Sequence, residues 1–268
     1  MAERALELLL RRERAIIWGA LAVLTGLAWL WVLVGSGTGM STLAMTTWQF
    51  PPPRPALMMQ GDWSPAYWLT MLAMWWVMMI AMMVPSAAPT ILLYARVVRH
   101  GNSMDEGALV PTADFGAGYL VAWLGFSALA TALQFALERS GLIDGMMMWS
   151  TERWLTAGLL IAAGLYQLSP LKMACLAQCR SPAEFLSRHW RRGRSGAFRL
   201  GVLHGAYCLG CCWALMLLLF AAGIMNLVWI AGLAVLVLLE KLAPFGANLA
   251  NPSAALLLLA GAALLVPA

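Results

Sequence analysis

The sequence predicts an all-α polytopic membrane bundle of six to seven transmembrane helices, with its amino terminus in the cytoplasm. Three observations predict it. Hydrophobic residues make up 62% of the chain and charged residues only 11%, where a soluble domain carries about 45–50% and about 25%. Mean hydropathy is +0.77. Apolar runs rich in Leu, Ala, Trp and Met recur at close to the roughly 20 residues a helix needs to cross the hydrocarbon core. They lack the alternating segments of roughly ten residues that mark a barrel. Six or seven such runs in 268 residues leave little for a separate soluble domain. The chain divides into a basic amino-terminal stretch, 1–14, and a single transmembrane domain, 15–268.

The first span, 15–34, follows Arg11, Arg12 and Arg14 and lacks a small-residue cleavage site, so it reads as a retained helix. The second, 66–95, is long, and Pro85 and Pro89 should kink it because each removes a helix hydrogen bond. Ahead of it, Pro51-Pro52-Pro53-Arg54-Pro55 reads as an extended loop. The third and fourth spans cover 113–137 and 154–171. The fifth, 200–221, carries Gly201-xxx-Gly205 and Gly205-xxxx-Gly210, small residues that let helices approach closely. The sixth and seventh, 225–240 and 253–267, are short, and Asn251-Pro252 marks the turn between them.

Orientation comes from the basic residues. Arg4, Arg11, Arg12 and Arg14 precede the first span, and Arg96, Arg99 and His100 follow the second. Lys172, Arg180, Arg188, His189, Arg191, Arg192, Arg194 and Arg199 lie between the fourth and fifth, and Glu240-Lys241 follow the sixth. All four groups fall on one side if the amino terminus is cytoplasmic, which puts the carboxyl terminus outside. The net charge of +5 reads as this topology signal and not as a nucleic-acid surface. The surroundings predicted are the lipids of a bacterial inner membrane, with a homo-oligomer or a larger membrane complex open as further partners.

The chemistry sits in one stretch. All five cysteines and His204 fall within 38 residues, as Cys175-xxx-Cys179 and His204-xxx-Cys208-xx-Cys211-Cys212. At about 100° per residue, His204, Cys208, Cys211 and Cys212 occupy one helix face within an arc of roughly 100°. Cys175 and Cys179 form an i, i+4 pair close to the inner end of the same helix. Thiolate and imidazole are soft to borderline ligands, which points to copper(I), with zinc as the alternative. Cys208 and Cys211 also have the spacing of a dithiol–disulfide couple. A single such cysteine would read as a small buried hydrophobe. Glu240 and Lys241 read as interface anchors, with Glu240 a candidate partner for His204.

The second span adds thioethers. Met71, Met74, Met78 and Met82 follow 3-4-4 spacing on one face, and Met79 and Met83 form a second pair beside it. Thioether sulfur accepts copper(I) and is poor for zinc, which makes Met78 and Met82 candidate ligands. The ordinary alternative is methionine as core filler.

The segments Met78–Pro89, Leu171–Pro182 and Gly201–Trp213 carry a resemblance. They look like the bacterial domain of unknown function 2182 family, described as predicted metal-binding integral membrane proteins. Asn226 and Glu240-Lys241 fit the same pattern. The resemblance covers most of 65–245 and implies a helical inner-membrane protein with a metal site, but no substrate or reaction. No phosphate loop, dinucleotide motif or hydrolase triad is visible, and three histidines in all exclude the usual bis-histidine haem. Three functions stay open: copper handling as a transporter, chaperone or insertion factor; a thiol redox protein; and an accessory subunit of a membrane enzyme.

Overall fold

In lipid a backbone must satisfy its own hydrogen bonds, and this chain does so with helices. A computed structural model describes residues 2–53, 61–101 and 109–266. Arg54 and Pro55, and the side chains of Arg4, Arg11, Arg12 and His100, lie outside the described residues. The helices are α1 (Ala2–Leu33), α2 (Pro65–Gly101), α3 (Leu109–Arg139), α4 (Arg153–Gln167) and α5 (Pro170–Arg180), then α6 (Pro182–His189), α7 (Gly193–Ala222), α8 (Leu227–Leu242) and α9 (Ala250–Leu265). An isolated bridge between Ile143 and Ser150 is the nearest approach to a sheet among the described residues. All seven apolar runs are helical, as the sequence predicts.

Among the described residues, five segments are long and apolar enough to cross a membrane alone: Glu13–Leu33, Pro65–Arg99, Leu109–Arg139, Gly193–Ala222 and Gly246–Leu265. A sixth is obtained if α4 and α5, bent by 63° at a short break, count as one span. α8 is apolar but has only 16 residues, a length of about 24 Å. After the tight turn at 223–226 it runs back along α7 and stops beside the middle of that helix.

α2 runs as a single helix with Pro85 and Pro89 inside it; there the hydroxyls of Ser86 and Tyr119 both donate to the Met83 carbonyl, at 2.9 and 3.2 Å. Other local features differ from the sequence expectation. Asn251-Pro252 does not form a turn. It lies in the first turn of α9, where proline forfeits no helix hydrogen bond, and the chain reverses upstream through a single turn of 3-10 helix at Gly246–Leu249. The basic segment after α4 folds as α5 and α6. Each begins Ser-Pro, and the Ser169 hydroxyl accepts from the Lys172 amide at 3.1 Å, a standard helix start.

The glycines of the fifth predicted span lie where backbones nearly touch. A Cβ on Gly201 would fall 2.0 Å from the Phe115 carbonyl oxygen, and one on Gly118 would fall 2.1 Å from that of Phe198. α3 and α7 are therefore locked along their amino-terminal halves. At the surface, Arg194 makes a paired contact to Asp114 at 2.8 and 3.2 Å across the same two helices, and Arg99 pairs with Glu13 to tie α2 to α1.

Gly201→Ala should therefore lower stability by about 1–3 kcal/mol through overpacking, read as a fall in the thermal midpoint of detergent-solubilised protein. Gly116→Ala, where nothing lies within 4 Å, should leave the midpoint unchanged or raise it.

Candidate metal centre

α7 turns His204, Cys208, Cys211 and Cys212 into the interior, where all four are buried. Cys208 stands sixteenth of the 30 residues of α7, about 22 Å along it. The thiols of Cys211 and Cys212 donate to the Cys208 carbonyl at 3.1 and 3.0 Å. This bond back to the preceding turn suits small side chains with a weak donor. From α5, Cys179 is buried and lies within interaction range of Cys211. Cys211, Cys212 and Cys208 neighbour one another on α7. Four thiols thus follow one another as a chain of neighbouring sulfurs from α5 across one turn of α7. Cys175 is half-buried on α5 and packs on Gly210, where a Cβ would come within 2.6 Å of its sulfur. All five thiols are free.

Cys208 has two further partners. The Lys241 ammonium donates to its sulfur at 2.8 Å, and the Tyr119 hydroxyl lies 3.1 Å away. Lys241 also reaches the Ser86 hydroxyl at 3.3 Å. Met83 reaches the thiols, its sulfur 3.9 Å from that of Cys212. Met78 and Met82 are fully buried in the same helix. Among the described residues, no group of three or more His, Cys, Asp or Glu is arranged to hold a metal. The donors that do converge are thiols and a thioether, which suits a soft ion of low coordination number better than tetrahedral zinc.

His204 lies one turn before Cys208 on the same side of α7. Its ring sits among Phe115, Tyr119 and Phe185, with centroids 6.0, 5.7 and 5.1 Å away, and its Nδ1 has no hydrogen-bond partner. Glu240 does not partner it. Glu240 and Lys241 are not interface anchors either, being only 1% and 4% exposed. Because α8 is short, its end lies inside the bundle. The Glu240 carboxylate accepts from Lys172 at 2.7 Å and from Gln167 at 2.9 Å. Lys172, itself fully buried, also donates to Gln167, and Gln167 donates to Ser253 at 2.7 Å. Arg180 closes the network, donating to the Glu240 carbonyl at 2.6 Å.

Spacing arguments do not find Lys241, Lys172 or Tyr119 as members of the site. One signal for Lys241 is present in the sequence: it ends an apolar run too short to reach the interface, and an ionisable residue held within the membrane marks a functional position. Lys172 is camouflaged among the basic residues that set orientation.

Fold and site define a multi-pass helical membrane protein with a buried cluster of soft donors and a lysine counter-charge. Residues 72–264 match the family model described as PpoB2, copper chaperone, and the chain belongs to that family. The matched segment contains all of the cysteines, the methionine-rich stretch of α2 from Met74 onward and the Lys172–Glu240 network. No curated protein and no solved structure matches the chain.

Removing one member of a buried ion pair strands the other charge, at a cost of about 3–5 kcal/mol. Lys172→Met and Glu240→Leu should each destabilise by that order, and the double variant should recover most of the loss. A double-mutant cycle of unfolding midpoints measures it.

Proposed function

We propose that this protein carries copper(I) as cargo within a bacterial cytoplasmic membrane, its amino terminus on the cytoplasmic side. Cys208 and Cys211 form the principal pair, with Cys212, Cys179 and Met83 as alternates. The observation that carries the reading is the Lys241–Cys208 contact. Two thiolates around one monovalent ion leave a net charge of −1, and a buried charge needs a partner. One ammonium beside the principal sulfur brings the set to neutrality. A divalent ion in the same place would leave an excess positive charge. Family membership supports copper independently of that geometry.

Delivery then proceeds by ligand exchange along the chain of sulfurs. One copper–sulfur bond forms as another breaks, and the metal stays monovalent. Cys175, half-buried where the other four thiols are buried, is the thiol best placed to pass the ion to an acceptor. His204, ringed by aromatics, stands outside the working set. The chain is read as one transmembrane domain over 15–268 behind the basic stretch 1–14.

Elemental analysis of protein purified from its native membrane tests the reading beside Cys208→Ser/Cys211→Ser. The expected result is about one copper per chain, as the charge count requires, lost in the double variant. Unchanged copper in that variant would sink the ligand assignment. Zinc in the wild type would replace the carrier by a structural site, and metal in neither sample would leave the thiols to redox chemistry or packing.

Lys241→Met should weaken copper(I) affinity by about 10–100-fold, the range typical when a group supporting a metal ligand is removed. Lys241→Arg, which keeps the charge, should lose less. Competition with a copper(I) chelator gives both values.

A further inference from the structure

Two side-chain contacts fix how α2 and α7 face one another. Met83 meets Cys212 with sulfurs 3.9 Å apart. Eight residues away in opposite directions, Trp75 of α2 meets Phe220 of α7 with ring centroids 5.2 Å apart. The helices run antiparallel, so the residues midway between these contacts are Met79 and Met216. Each is one i, i+4 step from both contacts on its own helix, and so lies on the same side-chain row as they do. Both are completely buried, at 0% exposure. In order, the seam carries Cys208, then Cys212 with Met83, then Met79 on α2 and Met216 on α7, then Trp75 with Phe220.

The far end is closed. Trp75 donates its indole N–H to Gln134 at 2.8 Å, and Gln134 donates to the Glu138 carboxylate at 2.9 Å. Glu138 also accepts from Trp63 at 2.9 Å. The Trp75 ring is thus pinned across the seam, one turn beyond the methionines. Between this aromatic plug and the thiols lie Met79, Met83 and Met216, and the Met83 sulfur stands 3.9 Å from Cys212, a cysteine able to supply a negative charge.

We infer that Met79, Met83 and Met216, with Cys212 at their edge, form a second soft-metal station that takes a monovalent d10 cation, copper(I) or silver(I). Its assignment to copper traffic rests on the reading of the thiols given above. Thioethers are neutral soft donors, so the Cys212 thiolate alone balances the cation there. Transfer from the thiol pair is ligand substitution without electron transfer. Bonds to the Cys208 and Cys211 sulfurs break as bonds to Cys212 and the thioethers form, and the Cys212 proton passes to the released Cys211 sulfur. Lys241 remains with Cys208 as its counter-cation.

Full-length selenomethionine protein loaded with one and then two equivalents of silver(I) tests the station. The selenium absorption edge should show metal–selenium scattering once the second equivalent is bound. Met79→Leu/Met216→Leu keeps apolar volume, a swap that costs under about 1.5 kcal/mol. It should bind one equivalent where the wild type binds two, and Met78→Leu/Met82→Leu should still bind two. Absence of metal–selenium scattering in the wild type, or two equivalents in Met79→Leu/Met216→Leu, overturns the station. The wild-type scattering needs no variant, so it decides the matter even if a double variant fails to fold. Cys208→Ser/Cys211→Ser separates the two proposals. If it keeps its full equivalents while selenium scattering persists, the thiol reading fails and the thioether station stands.

Discussion

Lys172, Glu240 and Lys241 are charges held where no water reaches, and their pairing governs the arrangement of half the bundle. An isolated ion in a low-dielectric interior costs several kcal/mol even after relaxation, so each must have a partner within bonding distance. Glu240 takes Lys172, with Gln167 and the Arg180 contact at its own carbonyl completing the shell. The elbow between α4 and α5 is thereby fixed to the end of α8. Lys241 sits in the last turn of α8, where the helix dipole favours a cation. Glu240, the adjacent anion, is already committed to Lys172, and the ammonium finds the Cys208 sulfur instead.

The thiol site follows from this constraint. α5 carries Cys175 and Cys179, and it lies against α7 because its first turn is anchored through Lys172 to Glu240. Were α8 long enough to cross the membrane, its charged end would reach the interface and the thiols would lose their counter-cation. The length of α8 is therefore part of the site. A buried lysine facing a cluster of thiols is poor design for stability, since apolar residues of the same volume would do as well or better. It is good design for a place meant to receive one positive ion among two negative sulfurs.

Much of this was legible in the sequence. The periodicity and length of the apolar runs identify the seven main helices, because spanning segments have one solution for their backbone. The thiol face of α7 follows from offsets alone, and the glycine contacts of Gly201 and Gly205 follow from small-residue spacing. What escaped depends on where helices end relative to one another. Glu240 and Lys241 look like interface residues until α8 is seen to stop beside Cys208. Met83 differs from Met82 by one position and 100° of rotation, and only the crossing of α2 and α7 selects between them. α5 and α6 lie in a segment whose arginines carry a topology signal strong enough to hide two Ser-Pro helix starts.

α7 shows why the sulfurs lie where they do. On one side of that helix the residues run Gly201, Gly205, Cys208, Cys212, Met216, Phe220, growing in volume toward the outer end as the orientation is read. At the glycines the neighbour is the backbone of α3, close enough that no Cβ fits at Gly201. At Cys208 it is the Tyr119 hydroxyl. At Cys212 and Phe220 it is side chains of α2, Met83 and Trp75. Along this side of α7 the neighbour thus changes from the α3 backbone to side chains of α2, and progressively larger groups meet it. An ordinary bundle would fill such a row with alanine, valine, leucine and phenylalanine. This one fills its middle with two thiols and, where α2 enters, with thioethers. Packing dictates the sizes of those side chains but is indifferent to sulfur, so the choice of sulfur at each successive step is what the fold's geometry leaves for function to explain.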